Sequence, residues 1–204
     1  MKKLVVGSYN PKKLKELKDL LFDLPVELLS LNNFKNIVEV EEDGSTFWEN
    51  AAKKALGYAQ QTKTLALADD SGLTVDYLEG APGIWSARFA GAQKDDLKNC
   101  EKLLDLLKGI PKEKRTAQFR CAVALARPDK IVSVFEESVS GLIAESLLGK
   151  NGFGYDPLFF YPDFGTTFAN VPPEQKHFVS HRGKALGKMK EVLQEYLKKN
   201  VGAH

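Results

Sequence analysis

Residues 65–76 read LALADDSGLTVD, an apolar run that meets two adjacent aspartates, Asp69 and Asp70, and then a Ser-Gly pair. Carboxylates in such a place are either turn formers or ligands for a divalent cation. In an extended backbone neighbouring side chains face opposite ways, so the two aspartates cannot share one role. The strand is expected to end at the pair, and strand carboxyl ends are where α/β sheets place ligand clefts. A second acidic run, Glu41, Glu42 and Asp43, stands before Gly44. As plain structure the first run is an Asx-type turn and the second a solvated loop. As chemistry, one carboxylate from each suffices for a hard cation such as Mg2+, whose shell is completed by phosphate and water oxygens.

Residues 149–165 read GKNGFGYDPLFFYPDFG, in which Gly149, Gly152 and Gly154 alternate with Phe153 and Tyr155 before Asp156-Pro157. Two readings stand. One is a bulged strand with aromatics in the core. The other is a ligand loop where glycines admit close approach, an aromatic face supports a base and an aspartate accepts from ring N–H donors. Further on, Ser180 stands at an expected helix N-cap with His181 and Arg182 at the helix start. A cation there opposes the helix dipole, so Arg182 calls for a partner, which an anion or a polar base would supply. Lys13 and Lys53 lie early in their helices, either as surface charges or as phosphate ligands.

The elements that position these residues follow from periodicity and caps. Residues 3–7 (KLVVG) predict a first strand, and Asn10-Pro11 the N-cap and N1 of a helix with Leu14, Leu17, Leu20 and Leu21 on one face. Residues 26–31 predict a second strand. Thr46 with Glu49 three residues later predicts a capping box and a second helix. DDLKNCEKLLDLLKG predicts an amphipathic helix ended by Gly109 and Pro111. Alternation through Ala117, Phe119, Cys121, Val123 and Leu125, then RPDK and IVSVFEESVSG, predicts a long hairpin. The stripe Leu186, Met189, Leu193, Tyr196 and Leu197 predicts a final helix. Strand-helix crossovers combined with a hairpin give an α/β fold with a mixed central sheet and flanking helices.

The 204 residues carry 29 basic and 27 acidic side chains, a net +2, with 43% apolar and 27% charged residues. These values describe a soluble globular protein with a core, and the near balance of charge argues against a nucleic-acid coat protein. Cys100 and Cys121 are too few and too far apart for a disulfide framework or a zinc site, and read as buried small apolar groups in a reducing cytoplasm. The apolar stretch at residues 4–6 is too short for a signal peptide or a membrane span.

Six blocks in order, SYNPKK, EEDGSTFWENAAKKA, ALADDSGLTVD, GAPGIWSARFAG, NGFGYDPLFF and SHRGKAL, closely resemble the inosine triphosphate pyrophosphatase family, the Ham1-like purine nucleoside triphosphatases. The resemblance runs nearly end to end. It implies one domain over residues 1–204, with two lobes around a nucleotide-binding cleft. It implies hydrolysis of ITP, dITP and XTP to the monophosphate and pyrophosphate, dependent on Mg2+ with Mn2+ as a substitute. By position, Asp70 resembles the general base or water-positioning residue beside the metal, and Glu41 its metal-binding partner. Ser8, Asn10, Lys13 and Ser71 resemble phosphate and sugar contacts, with Lys53 a further cation for the triphosphate. Phe153, Gly154, Tyr155, Asp156, Lys176, His181 and Arg182 resemble base- and phosphate-binding residues. A homodimer with no nucleic-acid or membrane partner is also implied. One departure is visible: the family's first loop commonly reads T-G-N-x-G-K, and here Tyr9 and Lys12 replace its glycines. The rival readings are a Maf-like pyrophosphatase of other modified nucleotides and a nucleotide-binding protein without turnover.

Overall fold

Asn10 and Pro11 open the first helix as their order in the sequence predicts. In the computed structural model, which describes residues 2–199, Asn10 Oδ1 accepts from the backbone N–H groups of Lys12 (2.9 Å) and Lys13 (3.2 Å). Pro11 is the first residue of α1, Pro11–Leu21, where its missing N–H costs nothing. This helix joins β1 (Lys2–Val6) to β2 (Val26–Ser30), and the two strands pair in parallel with Leu4 opposite Leu28. Helix α2 spans Phe47–Thr62. Thr46 caps it by accepting from the Glu49 N–H at 3.1 Å. The expected capping box closes one residue early: Glu49 Oε2 accepts from the N–H and the hydroxyl of Ser45, both at 2.7 Å.

Strand β3, Leu65–Val75, corrects the expectation of a strand that stops at the aspartates, since it runs straight through them. It pairs in parallel with β1, Val6 opposite Leu67. No turn is needed because each aspartate finds a cation partner on its own side of the strand. Helix α3, Asp96–Leu106, is capped by Asp95, whose Oδ1 accepts from Leu97 and Lys98 N–H. The hairpin forms as expected from β4 (Thr116–Arg127) and β5 (Lys130–Ile143), with Pro128-Asp129 between them. Residues 149–158 hold no strand, which corrects the bulged-strand reading; β6 is confined to Phe159–Tyr161 and is followed by β7, Thr166–Thr167. Gly149, Gly152 and Gly154 all have positive φ (92°, 73° and 59°), which takes the backbone out of any strand conformation. A short helix α4, Pro173–Val179, is an element the periodicity did not announce, and α5 spans His181–Lys199. Ser180 precedes it in extended backbone (φ −69°, ψ 155°), the conformation of an N-cap residue.

The sheet order is β2-β1-β3-β4-β5-β6-β7, parallel across β2-β1-β3 and antiparallel across β5-β6-β7. By density of contact the chain divides into two interleaved units. Unit 1 comprises Met1–Asp70, Cys121–Glu137 and Arg182–His204, and unit 2 comprises Ser71–Arg120 and Ser138–His181. The core of unit 1 gathers Leu4, Val6, Leu17, Leu21, Leu67, Val123, Leu125, Leu186, Met189 and Leu193. The leucine stripe of α1 and that of α5 therefore close on the same strands. The core of unit 2 is aromatic, with Phe159 centred 4.5 Å from Phe119 and 5.0 Å from Phe168. Each such side chain contributes roughly 1.5–3 kcal/mol by leaving water. Among the described residues no helix is long and apolar enough to cross a membrane.

Candidate active site

The two aspartates divide as the strand geometry requires. In unit 1, Asp69 is buried, and its Oδ2 lies 3.1 Å from Lys13 Nζ and 3.2 Å from Arg182 Nη2. Arg182 in turn holds Glu16 Oε2 at 2.6 Å. Burial opposes ionisation of Asp69, but Lys13, Arg182 and Lys54 outweigh it and hold the carboxyl well below the usual range. Arg182 is likewise buried, yet Asp69 and Glu16 keep it firmly charged. The cation at the start of α5 thus has its partners inside the protein. The sequence calls for a partner that an anion or a base would supply; Asp69 and Glu16 supply it from within the chain.

Asp70 faces a different group. Its Oδ1 lies 3.8 Å from Lys54 Nζ, which is also 3.2 Å from Glu42 Oε2. Burial pushes the Asp70 carboxyl up; Lys54 and Lys13 oppose the shift, and Glu42 and Asp69 add to it. Burial resists charge on Glu42 too, but Lys54 and a hydrogen bond with Asp70 bring its carboxyl down. Lys54 is held charged against its burial by Asp70 and Glu42. Two carboxyl groups sharing one lysine repel each other, and one of them takes the proton more readily for it.

Two expected residues lie beside the ones that meet Asp70. Glu41 is exposed, while Glu42 turns toward Lys54. Lys53 is exposed and ion-paired with Asp43, whereas Lys54 is buried on α2. Helical phase gives the reason: Phe47, Ala51, Ala55 and Tyr58 face the core, and Lys54 falls on that stripe while Lys53 falls off it. The period of α2 carries that signal for Lys54; no comparable signal separates Glu42 from Glu41 in an irregular loop.

In the first loop, Ser8 Oγ accepts from Asn10 N–H at 3.2 Å, and the Asn10 carbonyl oxygen of the side chain caps α1. Neither Tyr9 nor Lys12 has positive φ, so the backbone at these two positions makes no demand that only glycine could meet. The first turn of α1 holds Lys12 and Lys13 and no acidic residue, an arrangement that favours an anion.

Unit 2 gathers the remaining candidates. Ser71 opens it, partly exposed on β3. Asp156 and Lys176 form a buried ion pair at 2.6 Å, and Asp156 Oδ2 also accepts from Phe153 N–H at 2.8 Å. Lys176 Nζ sits 5.1 Å from the centre of the Phe153 ring. Tyr155 is a core residue whose hydroxyl donates to the Ser86 carbonyl at 2.9 Å, and burial raises its pKa. Gly154 N–H donates to Asp96 Oδ2 at 3.1 Å. His181 is buried and stacked on Phe119, with ring centres 4.8 Å apart.

Carboxylates held around a lysine, near a helix start that favours anions, suit a divalent cation together with an anionic ligand. Comparison with known proteins supplies the family. The model of the Ham1 family matches residues 4–192, and the chain belongs to this family. It is 52% identical over 191 residues to a dITP/XTP pyrophosphatase of Desulforamulus reducens, covering 94% of this chain and 95% of the relative. A dITP/XTP pyrophosphatase of Listeria monocytogenes is 47% identical over 199 residues, 98% of each chain. The solved structure of a HAM1 protein from Coxiella burnetii superposes with a TM-score of 0.87 at 40% identity, over 96% of this chain and 100% of that one.

Proposed function

We infer that this protein hydrolyses non-standard purine nucleoside triphosphates, dITP or ITP and XTP, to the monophosphate and pyrophosphate. The observation that carries the reading is the Asp70–Lys54–Glu42 cluster, built on a buried aspartate and lysine, found in a chain whose relatives are named for this activity. The purine specificity in those names weighs against a Maf-like activity on other nucleotides. The intact acid–lysine cluster weighs against a protein that binds without turnover.

A divalent cation fits the donor set. Glu42 and Asp70 offer hard oxygen ligands whose mutual repulsion a cation relieves, and two carboxylates plus substrate phosphates make a Mg2+ site. Among the described residues no group of three or more His, Cys, Asp or Glu side chains forms a fuller cage. When bound, the cation neutralises phosphate charge and polarises the anhydride. Mg2+ is the proposed ion and Mn2+ its substitute. Asp70 then accepts the proton of the attacking water as a carboxylate general base. Lys54 keeps the cluster charged and aligned. Lys13 and the start of α1 take the phosphates, with Ser8, Asn10 and Ser71 as further contacts. Phe153–Asp156, Lys176 and His181 take the base, and Arg182 acts by fixing Asp69. The proposed setting is the cytoplasm.

The test is a panel of ITP, dITP, XTP, ATP, GTP and dTTP with Mg2+, with products identified. Pyrophosphate from the first three, at least about 10³-fold preferred over ATP and GTP, is expected; that ratio corresponds to roughly 4 kcal/mol. Orthophosphate as the first product would refute the bond assignment. Asp70→Asn is expected to lower turnover by 10³-fold or more, roughly 4 kcal/mol of barrier, with the melting temperature kept within about 3 °C.

A further inference from the structure

The turn at Phe153–Asp156 is held by more than its own residues. Asp156 takes the Phe153 N–H from within the turn. The next residue is gripped from outside it. Gly154 N–H donates to Asp96 Oδ2 at 3.1 Å, and the Gly154 carbonyl accepts from Cys100 Sγ at 3.4 Å. Asp96 is the first residue of α3 and Cys100 stands four positions later. Both side chains therefore rise from one face of the helix, one turn apart, and take the two backbone polar groups of a single glycine.

Gly154 depends on this grip. Its φ is +59°, and a Cβ placed on it would meet nothing within 4 Å, so no side chain of its own could anchor it and the bonds from α3 reach its backbone directly. Glycine has the widest choice of backbone conformations, so such bonds count for more at this position. The segment before the turn is tied elsewhere, through Lys150 and Asn151 N–H to the Ala169 carbonyl and Asn151 Nδ2 to the Val171 carbonyl. The Asp96 bond is charge-assisted, roughly twice the strength of a neutral one, and a carboxylate at a helix start is favoured by the dipole. The Cys100 thiol, pushed up to about 12 by burial, keeps its proton and remains a donor.

We propose that Asp96 is a positioning residue for the nucleotide base: through Gly154 it sets the turn that carries Phe153 and Asp156. The proposal rests on the reading of that turn as the base site. It makes α3 part of substrate discrimination, although Asp96 itself contacts no reacting atom.

The test compares Asp96→Ala with Asp96→Asn, which keeps an acceptor oxygen. Amide hydrogen exchange at Gly154 in the nucleotide-free protein reads the grip directly. Steady-state kinetics with dITP and Mg2+ read its use. Asp96→Ala is expected to speed Gly154 exchange about tenfold and to raise KM five- to twentyfold with kcat within twofold. Asp96→Asn is expected to recover most of both. Unchanged exchange at Gly154 overturns the proposal, as does a fall in kcat with KM unmoved. Asp156→Asn separates the two layers. If it raises KM and Asp96→Ala does not, the positioning role fails; if neither raises KM, the assignment of the base to this turn fails and takes the proposal with it. Should Asp96→Ala not fold, Cys100→Ala releases the other side of Gly154 and carries the same expectations and the same refutations.

Discussion

Lys53 and Lys54 are neighbours in sequence and opposites in situation. One pairs with Asp43 in water; the other is buried between two carboxylates. Lys54→Met is expected to lower kcat with dITP by 10²–10³-fold, the usual effect of losing a preorganised charge at a reacting centre. Lys53→Met is expected to change kcat by less than threefold. The same logic separates Glu42→Gln, which is expected to weaken the response to Mg2+ in a titration of activity, from Glu41→Gln, which is not. Asp69 and Arg182 act on stability. Removing one member of a buried ion pair costs about 3–5 kcal/mol because the other charge is stranded. Urea unfolding at pH 7 should show that loss in Arg182→Met, and less than the sum of the singles in Asp69→Asn/Arg182→Met. Much of this site was legible: the alternation of a strand alone separates Asp69 from Asp70. Partner choice was not, because which of two adjacent acids turns inward is set by tertiary contact and leaves no periodic trace.

Elements announced by caps were the most readable. Asn10-Pro11 and Thr46 each mark a helix start by chemistry that acts within three residues. The glycine-rich run was ambiguous for the opposite reason: its shape depends on contacts up to 58 residues away. Its glycines are also unequal. At Gly152 a Cβ would overlap the Asp156 carboxylate and the backbone has φ +73°, whereas Gly154 has only the conformational demand. Gly152→Ala is therefore expected to destabilise by about 2–3 kcal/mol and Gly154→Ala by about 1 kcal/mol in chemical denaturation. An equal cost would mean that Asp156 yields easily and the Asp156–Lys176 pair is softer than its burial indicates. Helix α4 escaped notice because seven residues opened by two prolines show too little periodicity to read.

At the scale of the whole molecule, we propose the homodimer that the sequence resemblance implies. Light scattering coupled to gel filtration should return twice the chain mass at micromolar concentration, and a single chain mass would overturn it. Exposed Trp48, Tyr77 and Trp85 are sites at which a partner copy would be felt by fluorescence.

The interleaving of the two units also sets an order of events on the ribosome. Every segment of unit 2 has been made once residue 181 is joined. Unit 1 still lacks the rest of α5 at that moment, and with it Leu186, Met189 and Leu193 of its core and the arginine that neutralises Asp69. At about 5–20 residues per second the 19 residues of α5 occupy roughly 1–4 s of synthesis. Through that interval the first strands and helices of the chain wait with an open apolar face. The amino-terminal part, made first, is completed last.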